Sequence, residues 1–292
     1  MDSQIDLVTP TGERVQGITP PRAIGINAKG RVINISPSSL QLWWGCRQRW
    51  WYKEVEGLPD PMNIHGANGK AVHDAIAALH KSRLAGKPLV TREVLDLYRE
   101  RYRQMQGAVG PPDENAPDWL QVDREKLGRL TAQALEIYCR EHAPAVTPYL
   151  VETRIEVELE VGEDIRVMAV GRADLIDDRG IVHDFKTVTR VPYWDAINEA
   201  DEAQLLWYGM LLEQLEGRVS PLYQFEYLVA SDRGVQVLPF TVTASAEKYA
   251  RLRALVGAAV EEMAEGRVVP NPSFSLCNPR QCPFFQRCHE DW

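Results

Sequence analysis

The stretch GRADLIDDRGIVHDFKT, residues 171–187, constrains this chain more than any other. Two runs of aliphatic and branched residues flank the turn sequence Asp177-Asp178-Arg179-Gly180, the pattern of a β-hairpin. In an antiparallel pair, a turn centred near Arg179 sets Asp174 opposite Asp184. Side chains alternate along a strand, so Asp184 and Lys186 share one face while Phe185 points to the other, into a core. Two carboxylates and an ammonium therefore converge. Like charges facing each other destabilise a sheet unless something neutralises them, and an oxygen-rich pocket of this kind suits Mg²⁺ or Mn²⁺. Such an ion polarises a phosphoryl oxygen and lowers the pKa of water, while Lys186 can orient the nucleophile or offset developing negative charge. That combination fits phosphodiester hydrolysis. The plainer alternative is a surface hairpin whose Asp and Lys residues keep an edge soluble.

The rest of the chain reads as α/β. From Pro148, TRIEVELEV, IRVMAVGRADLI and GIVHDFKTV form a three-stranded meander, and Glu152 can join the acidic site from the first of these strands. EADEAQLLWYGMLLEQLEG has helical spacing, PLYQFEYLV and VQVLPFTV read as two more strands, and SAEKYARLRALVGAAVEEMAEG as a long last helix. Upstream, the cap-like turn Ser36-Pro37-Ser38 leads into one tryptophan-rich helix, SLQLWWGCRQRWWYKEV. A helix follows in KAVHDAIAALHKSRLAG, with Val72, Ile76 and Leu79 on one side. Two more helices, over about 91–106 and 118–142, are separated by the breaker segment GAVGPPDENAP. The expected organisation is a loosely ordered arm over 1–32 with one short strand, then a single domain over 33–292. That domain has a mixed central sheet flanked by helices, a helical insertion over about 88–146 and a cysteine-bearing end over 271–292.

At 292 residues, 45% hydrophobic and 25% charged, the chain is long and apolar enough to bury a core, which excludes a disordered or fibrous class. Its net charge of -8 excludes a histone-like or polybasic membrane binder, but not nucleic acid, since phosphates respond to local patches. There is no apolar run long enough for a membrane span, and the start MDSQIDLVTPTGERVQG lacks secretory-signal features, so the expected location is cytoplasmic, without a membrane partner. Five cysteines, an odd number, argue against a disulfide framework. Cys277, Cys282 and Cys288 cluster near the end, and with the distant Cys46 they supply the four thiolates needed by a [4Fe–4S] cluster or a structural zinc. Cys139, in AQALEIYCREH, reads as a small buried hydrophobe.

Gly171-Arg172-Ala173-Asp174 followed by Asp184-Phe185-Lys186-Thr187 resembles the core motif of the PD-(D/E)XK nucleases, in the RecB-type exonuclease branch. The resemblance extends over residues 33–292 and implies a restriction-endonuclease-like core. It also implies that Asp174, Asp184, the peptide carbonyl of Phe185 and His73, from the helix GKAVHDAIAAL, hold the divalent metal. Gln204 and Tyr208 of QLLWY match the branch's QxxxY helix, whose glutamine and tyrosine lie near the active centre and contact the lysine or DNA. At i and i+4 they share a helix face. The branch's iron–sulfur members, including the AddB nuclease domain and the exonucleases associated with CRISPR adaptation, use one early and three late cysteines. Here these fall on Cys46 in SPSSLQLWWGCRQRWWY and on Cys277, Cys282 and Cys288, with Cys282-Pro283-Phe284-Phe285 as the Cys-Pro-aromatic segment. The cluster would then tie the chain ends together. The first late interval departs from the common pattern, with four intervening residues where two are usual, and His289 could replace a thiolate.

The resemblance implies a metal-dependent DNA exonuclease acting at DNA ends or on single strands, in recombination, repair or CRISPR adaptation, with a protein partner from one of those processes. The competing reading is a non-catalytic iron–sulfur or zinc protein that binds or scaffolds DNA on the same fold. The tryptophans and cations of residues 43–53 offer stacking surfaces and phosphate partners, so Arg47, Arg49 and Arg172 are the expected DNA contacts. No helix-turn-helix or zinc-finger pattern supplies a reader of base sequence.

Overall fold

The structure is a computed structural model that describes residues 7–8, 14–15, 24–27, 30–109, 122–161, 165–191, 199–217, 220, 222–279 and 281–292. In chain order, strands β1 (Leu7–Val8), β2 (Arg14–Val15), β3 (Ile24–Asn27) and β4 (Gly30–Ile35) precede helices α1 (Pro37–Gly45), α2 (Arg47–Trp50), α3 (Ile64–Leu84), α4 (Thr91–Ala108) and α5 (Arg124–Ile137). Strands β5 (Pro148–Val161), β6 (Ile165–Asp177) and β7 (Val182–Val188) follow, then α6 (Glu199–Glu216), β8 (Leu222–Ser231), β9 (Gly234–Thr243), α7 (Ala246–Ala264) and α8 (Phe285–Asp291). The breaker segment and most of the expected arm lie outside the described residues. The chain forms two compact units, one of residues 1–60, 156–170 and 250–292, the other of residues 61–155 and 171–249.

In the second unit, the mixed sheet expected from the sequence runs from the end of β6 through β7, β8 and β9. The β6–β7 hairpin has Leu175 opposite His183 and Ile176 opposite Val182, the register derived above. Its turn is held by Asp177, whose Oδ1 accepts from the amides of Arg179 (3.0 Å) and Ile181 (2.8 Å), while Gly180 takes the left-handed conformation (φ 81°). Strand β7 pairs in parallel with β8, and β8 antiparallel with β9. Helices α3, α4 and α5 cover one face. Val72, Ile76 and Leu79 of α3 pack in one buried cluster with Tyr98, Leu127 and Leu135, and with Leu175, Phe185, Leu228 and Val237 from the strands. Burial of such side chains stabilises by about 1.5–3 kcal/mol each.

The first unit departs from the sequence reading in two places. RVINI belongs to β4, which pairs antiparallel with β3 and parallel with β6, from Arg31 opposite Ile165 to Ile35 opposite Ala169. The paired strands thus include Gly30–Val32, just N-terminal to Ile33. The tryptophan-rich segment is two helices, not one, because Cys46 is extended (φ -158°, ψ 109°). Tertiary contacts gather at the break. A Cβ on Gly45 would lie 2.8 Å from the Phe274 ring, so only glycine admits that ring. Across the break the Trp43 and Trp50 rings meet edge to face at 4.9 Å, and Trp50 Nε1 donates to Ser39 Oγ at 2.9 Å.

Candidate active site and cysteine cavity

Alternation along β7 delivers the expected faces. Phe185 is 2% exposed and stacks edge-on against Tyr138 at 5.2 Å, while Asp184 is 1% exposed on the opposite side. Asp174 reaches across the end of the hairpin ladder, where its Oδ2 accepts from the Phe185 amide at 3.0 Å. Its other oxygen lies 3.1 Å from His73 Nδ1 on α3. Lys186 Nζ stands 2.9 Å from Asp184 Oδ2 and donates to Gln204 Oε1 at 2.9 Å. Gln204 Nε2 donates to Asp184 Oδ1 at 2.9 Å and to the Tyr208 hydroxyl at 3.1 Å. Asp174, Asp184, Lys186, His73, Gln204 and Tyr208 are therefore linked by direct contacts within one unit. The glycine of the GRAD segment makes this approach possible. A Cβ on Gly171 would come within 2.8 Å of Leu211 and 3.0 Å of the Tyr208 ring, so its absence lets α6 sit down on the strand.

Glu152 completes the acidic group. Its backbone is left-handed (φ 51°), rare for a non-glycine residue, and its carboxylate, His73 and Asp174 offer ligand atoms within 4.8 Å of one another. Arg172, 61% exposed, stands 3.4 Å from that carboxylate. Burial raises the Asp184 carboxyl above its usual range; Lys186 opposes the rise and Asp174 adds to it. Burial and then the Asp174 charge also raise Glu152. For His73 burial disfavours the imidazolium, but the charge and hydrogen bond of Asp174 outweigh it and lift the pKa to about 9. Both oxygens of buried Asp184 are engaged, Oδ2 by the Lys186 ammonium and Oδ1 by Gln204. His73, Glu152 and Asp174 make a donor set that fits a hard divalent cation, with the Asp184 carboxylate held next to it by Lys186 and Gln204.

The four outer cysteines lie together in the first unit. Cys46 sits at the helix break, where the Asn271 amide points at its Sγ at 3.5 Å and the Asn271 side chain donates to the Gly45 carbonyl at 2.9 Å. Turns carry Cys277 and Cys282, and α8 carries Cys288; their amides bond to the carbonyls of Phe274 (2.8 Å), Asn278 (2.9 Å) and Phe284 (2.9 Å). With Arg49, Phe274 and His289, all four thiols line a cavity of about 270 Å³. Burial, followed by Cys46, Cys282 and Cys277, pushes the Cys288 thiol up to about 11. Cys139 is half-buried and stands apart in the second unit, where burial pushes its thiol up to about 12.

Of the arginines expected at DNA, Arg172 is exposed beside the acidic group. Arg47 pairs with Glu262 at 2.6 Å and lies 5.4 Å over the Trp43 ring. Arg49 is 13% exposed and bound to Asp60. Sequence reasoning missed Asp60 and Asn271, and no local pattern marks either residue.

An α/β fold whose mixed sheet carries two aspartates and a lysine on adjoining strands is that of a nuclease. A model of the PD-(D/E)XK nuclease superfamily matches residues 34–289, and the chain belongs to that superfamily. Among curated proteins none matches. Among solved structures, one named "Putative exonuclease" from Eubacterium rectale is similar over 89% of this chain and 88% of its own, at 11% identity and TM-score 0.51. The crystal structure of SSO0001 is similar over 60% of this chain and 74% of its own, at 17% identity and TM-score 0.38. Among the described residues, no helix is long and apolar enough to cross a membrane.

Proposed function

We propose that this chain is a divalent-metal-dependent DNA exonuclease that hydrolyses phosphodiester bonds at DNA ends or in single strands. The observation that carries this reading is the contact ring in which Lys186 and Gln204 both close on Asp184 at 2.9 Å, beside the Asp174–His73 pair. His73, Asp174, Asp184 and the carbonyl of Phe185 would hold Mg²⁺ or Mn²⁺, with Glu152 within reach of the same ion. When bound, the ion supplies Lewis-acid polarisation of the phosphate and a more acidic water. Lys186 places its ammonium where it can orient the nucleophile and offset charge on the phosphate. Gln204 fixes that ammonium, and Tyr208 fixes Gln204. Arg172, exposed at the edge of the site, is positioned to meet the phosphate backbone. The name carried by the Eubacterium rectale neighbour agrees with the exonuclease reading.

The four cysteines are proposed to hold a [4Fe–4S] cluster tying the early cysteine to the late ones. Thiolates around a tetrahedral zinc stand about 3.8 Å apart, given Zn–S bonds of about 2.3 Å. The cavity of about 270 Å³, with all four thiols on its wall, supports a group larger than a single ion. Recombination, repair or CRISPR adaptation is the setting that such a pairing of site and cluster suggests.

An end-labelled oligonucleotide incubated with Mn²⁺ tests the hydrolytic reading. Wild-type protein should shorten linear single strands progressively, spare closed circles and lose this activity in Lys186→Ala; equal product from both proteins would refute the mechanism. Protein purified without oxygen should be brown, with absorbance near ~400 nm. Colourless protein with stoichiometric zinc would refute the cluster.

A further inference from the structure

Arg49 has a geometry that an ordinary ion pair leaves unexplained. It lies on α2 one turn after Cys46, and Asp60 holds one end of its guanidinium, with Nη2 at 3.1 and 3.4 Å from the two carboxylate oxygens. The same carboxylate takes Lys53 Nζ at 3.3 Å, so two cations share one anion and the group stays net positive. Arg49 Nε is buried and, among the described residues, has no hydrogen-bond acceptor. A buried N–H without an acceptor is costly, and retaining one implies a partner. Arg49 lines the cavity formed by Cys46, Cys277, Cys282 and Cys288. Its charge also favours the Cys282 thiolate, against burial and against the neighbouring Cys46 and Cys277.

We propose that Arg49 faces the sulfur cluster, not DNA: its Nε–H donates to a cluster or cysteine sulfur, and its charge sets the cluster's reduction potential. This inference rests on the [4Fe–4S] reading. Four thiolates around a [4Fe–4S] core carry a net negative charge, and one-electron reduction adds to it, so a fixed cation and an N–H···S bond favour the reduced form. The Asn271 amide at Cys46 Sγ is a second donor of the same kind. Arg49 is thus a tuning and positioning residue, anchored by Asp60 through Nη2.

The test is a reductive titration of anaerobically purified, full-length protein with dithionite and mediators, followed by absorbance and by electron paramagnetic resonance of the reduced cluster. Arg49→Met should make the cluster harder to reduce, lowering its reduced-to-oxidised ratio at fixed potential by tenfold or more, which is ~59 mV for one electron. Arg49→Lys, which keeps the charge but loses Nε–H, should fall between the two, and Asp60→Asn should shift the ratio the other way. An intact cluster with an unchanged midpoint in Arg49→Met overturns the proposal. If that variant does not retain a cluster, Asp60→Asn decides: an upward shift supports the proposal and an unchanged midpoint overturns it. Colourless zinc-bound wild-type protein would instead overturn the cluster reading beneath it.

Discussion

Metal binding at the acidic site should release a proton, and His73 is its source. In the metal-free protein Asp174 holds the imidazolium at a pKa of about 9, so at pH 7 roughly 99% of the molecules carry that proton. A metal ligand must be neutral, so the ion competes with the proton for the ring. Apparent affinity for Mn²⁺ should therefore rise about tenfold per pH unit up to about pH 9 and level off above it, a change of about 1.4 kcal/mol per unit. Asp184, whose carboxyl is also raised by burial, adds a second proton to the competition as the solution becomes more acidic. Calorimetric titration with Mn²⁺ in two buffers of different ionisation enthalpy counts the protons released. Dissociation constants at pH 6.5, 7.5 and 8.5 give the slope. His73→Asn keeps a hydrogen-bond donor for Asp174 but cannot titrate, so its slope over this range should flatten. Proton release near zero at pH 7, or the same slope in both proteins, would refute the reasoning. The stability of the metal-free fold carries the opposite signature. The folded pKa lies above the unfolded value of 6.5, so this contribution is full below about pH 6.5 and is lost as pH rises through about 9.

Two further predictions concern residues of the same unit. His80 is fully buried, its Nε2 is 2.8 Å from the Tyr138 hydroxyl, and burial, with smaller contributions from Arg83 and His183, depresses its pKa to about 3. The unfolded chain takes up this proton near pH 6.5 and the folded one does not, so stability should fall from pH 6.5 toward pH 3 by up to about 1.4 kcal/mol per unit. Urea midpoints for wild type and His80→Gln at pH 7 and pH 5 check this, and equal pH dependence in the two would contradict it. Glu152→Gly should raise the midpoint of the metal-free protein by about 1 kcal/mol, because glycine adopts φ 51° without the Cβ penalty and the repulsion with Asp174 disappears. The same change should weaken Mn²⁺ binding, and a variant that loses stability while binding Mn²⁺ normally would show that Glu152 acts only through packing.

The parts of the fold that the sequence discloses are those whose causes are local. The β6–β7 register follows from a turn in which Asp177 and Gly180 do the folding work within five residues, and the faces of β7 follow from alternation alone. The parts it hides have distant causes. Val32, Ile33 and Ile35 are too few to distinguish a strand from an ordinary apolar stretch, and while β3 pairs with β4 locally, its parallel partner β6 lies far along the chain. The helical period through Trp43, Arg47 and Trp50 is real, yet the backbone breaks at Cys46, where Phe274 packs on Gly45, a contact that no window around residue 46 contains.

The acidic site divides in the same way, and the division is informative. The hairpin brings Asp174, Asp184 and Lys186 together by register, and helical spacing puts Gln204 and Tyr208 on one face; both can be read from the sequence. Three features cannot: the left-handed backbone at Glu152, the full burial of Asp184 and, in the other unit, the buried Nε of Arg49. Each breaks a rule that the surrounding residues obey, since strain, burial and polar satisfaction otherwise agree with the local pattern. The charged groups among them also suit a bound group of opposite charge. A divalent ion would satisfy the carboxylates of Glu152 and Asp184, and an anionic sulfur cluster would satisfy Arg49. Where consistency fails twice around one hairpin and once beside four thiols, the simplest physical account is that the chain folds around charges it does not itself supply.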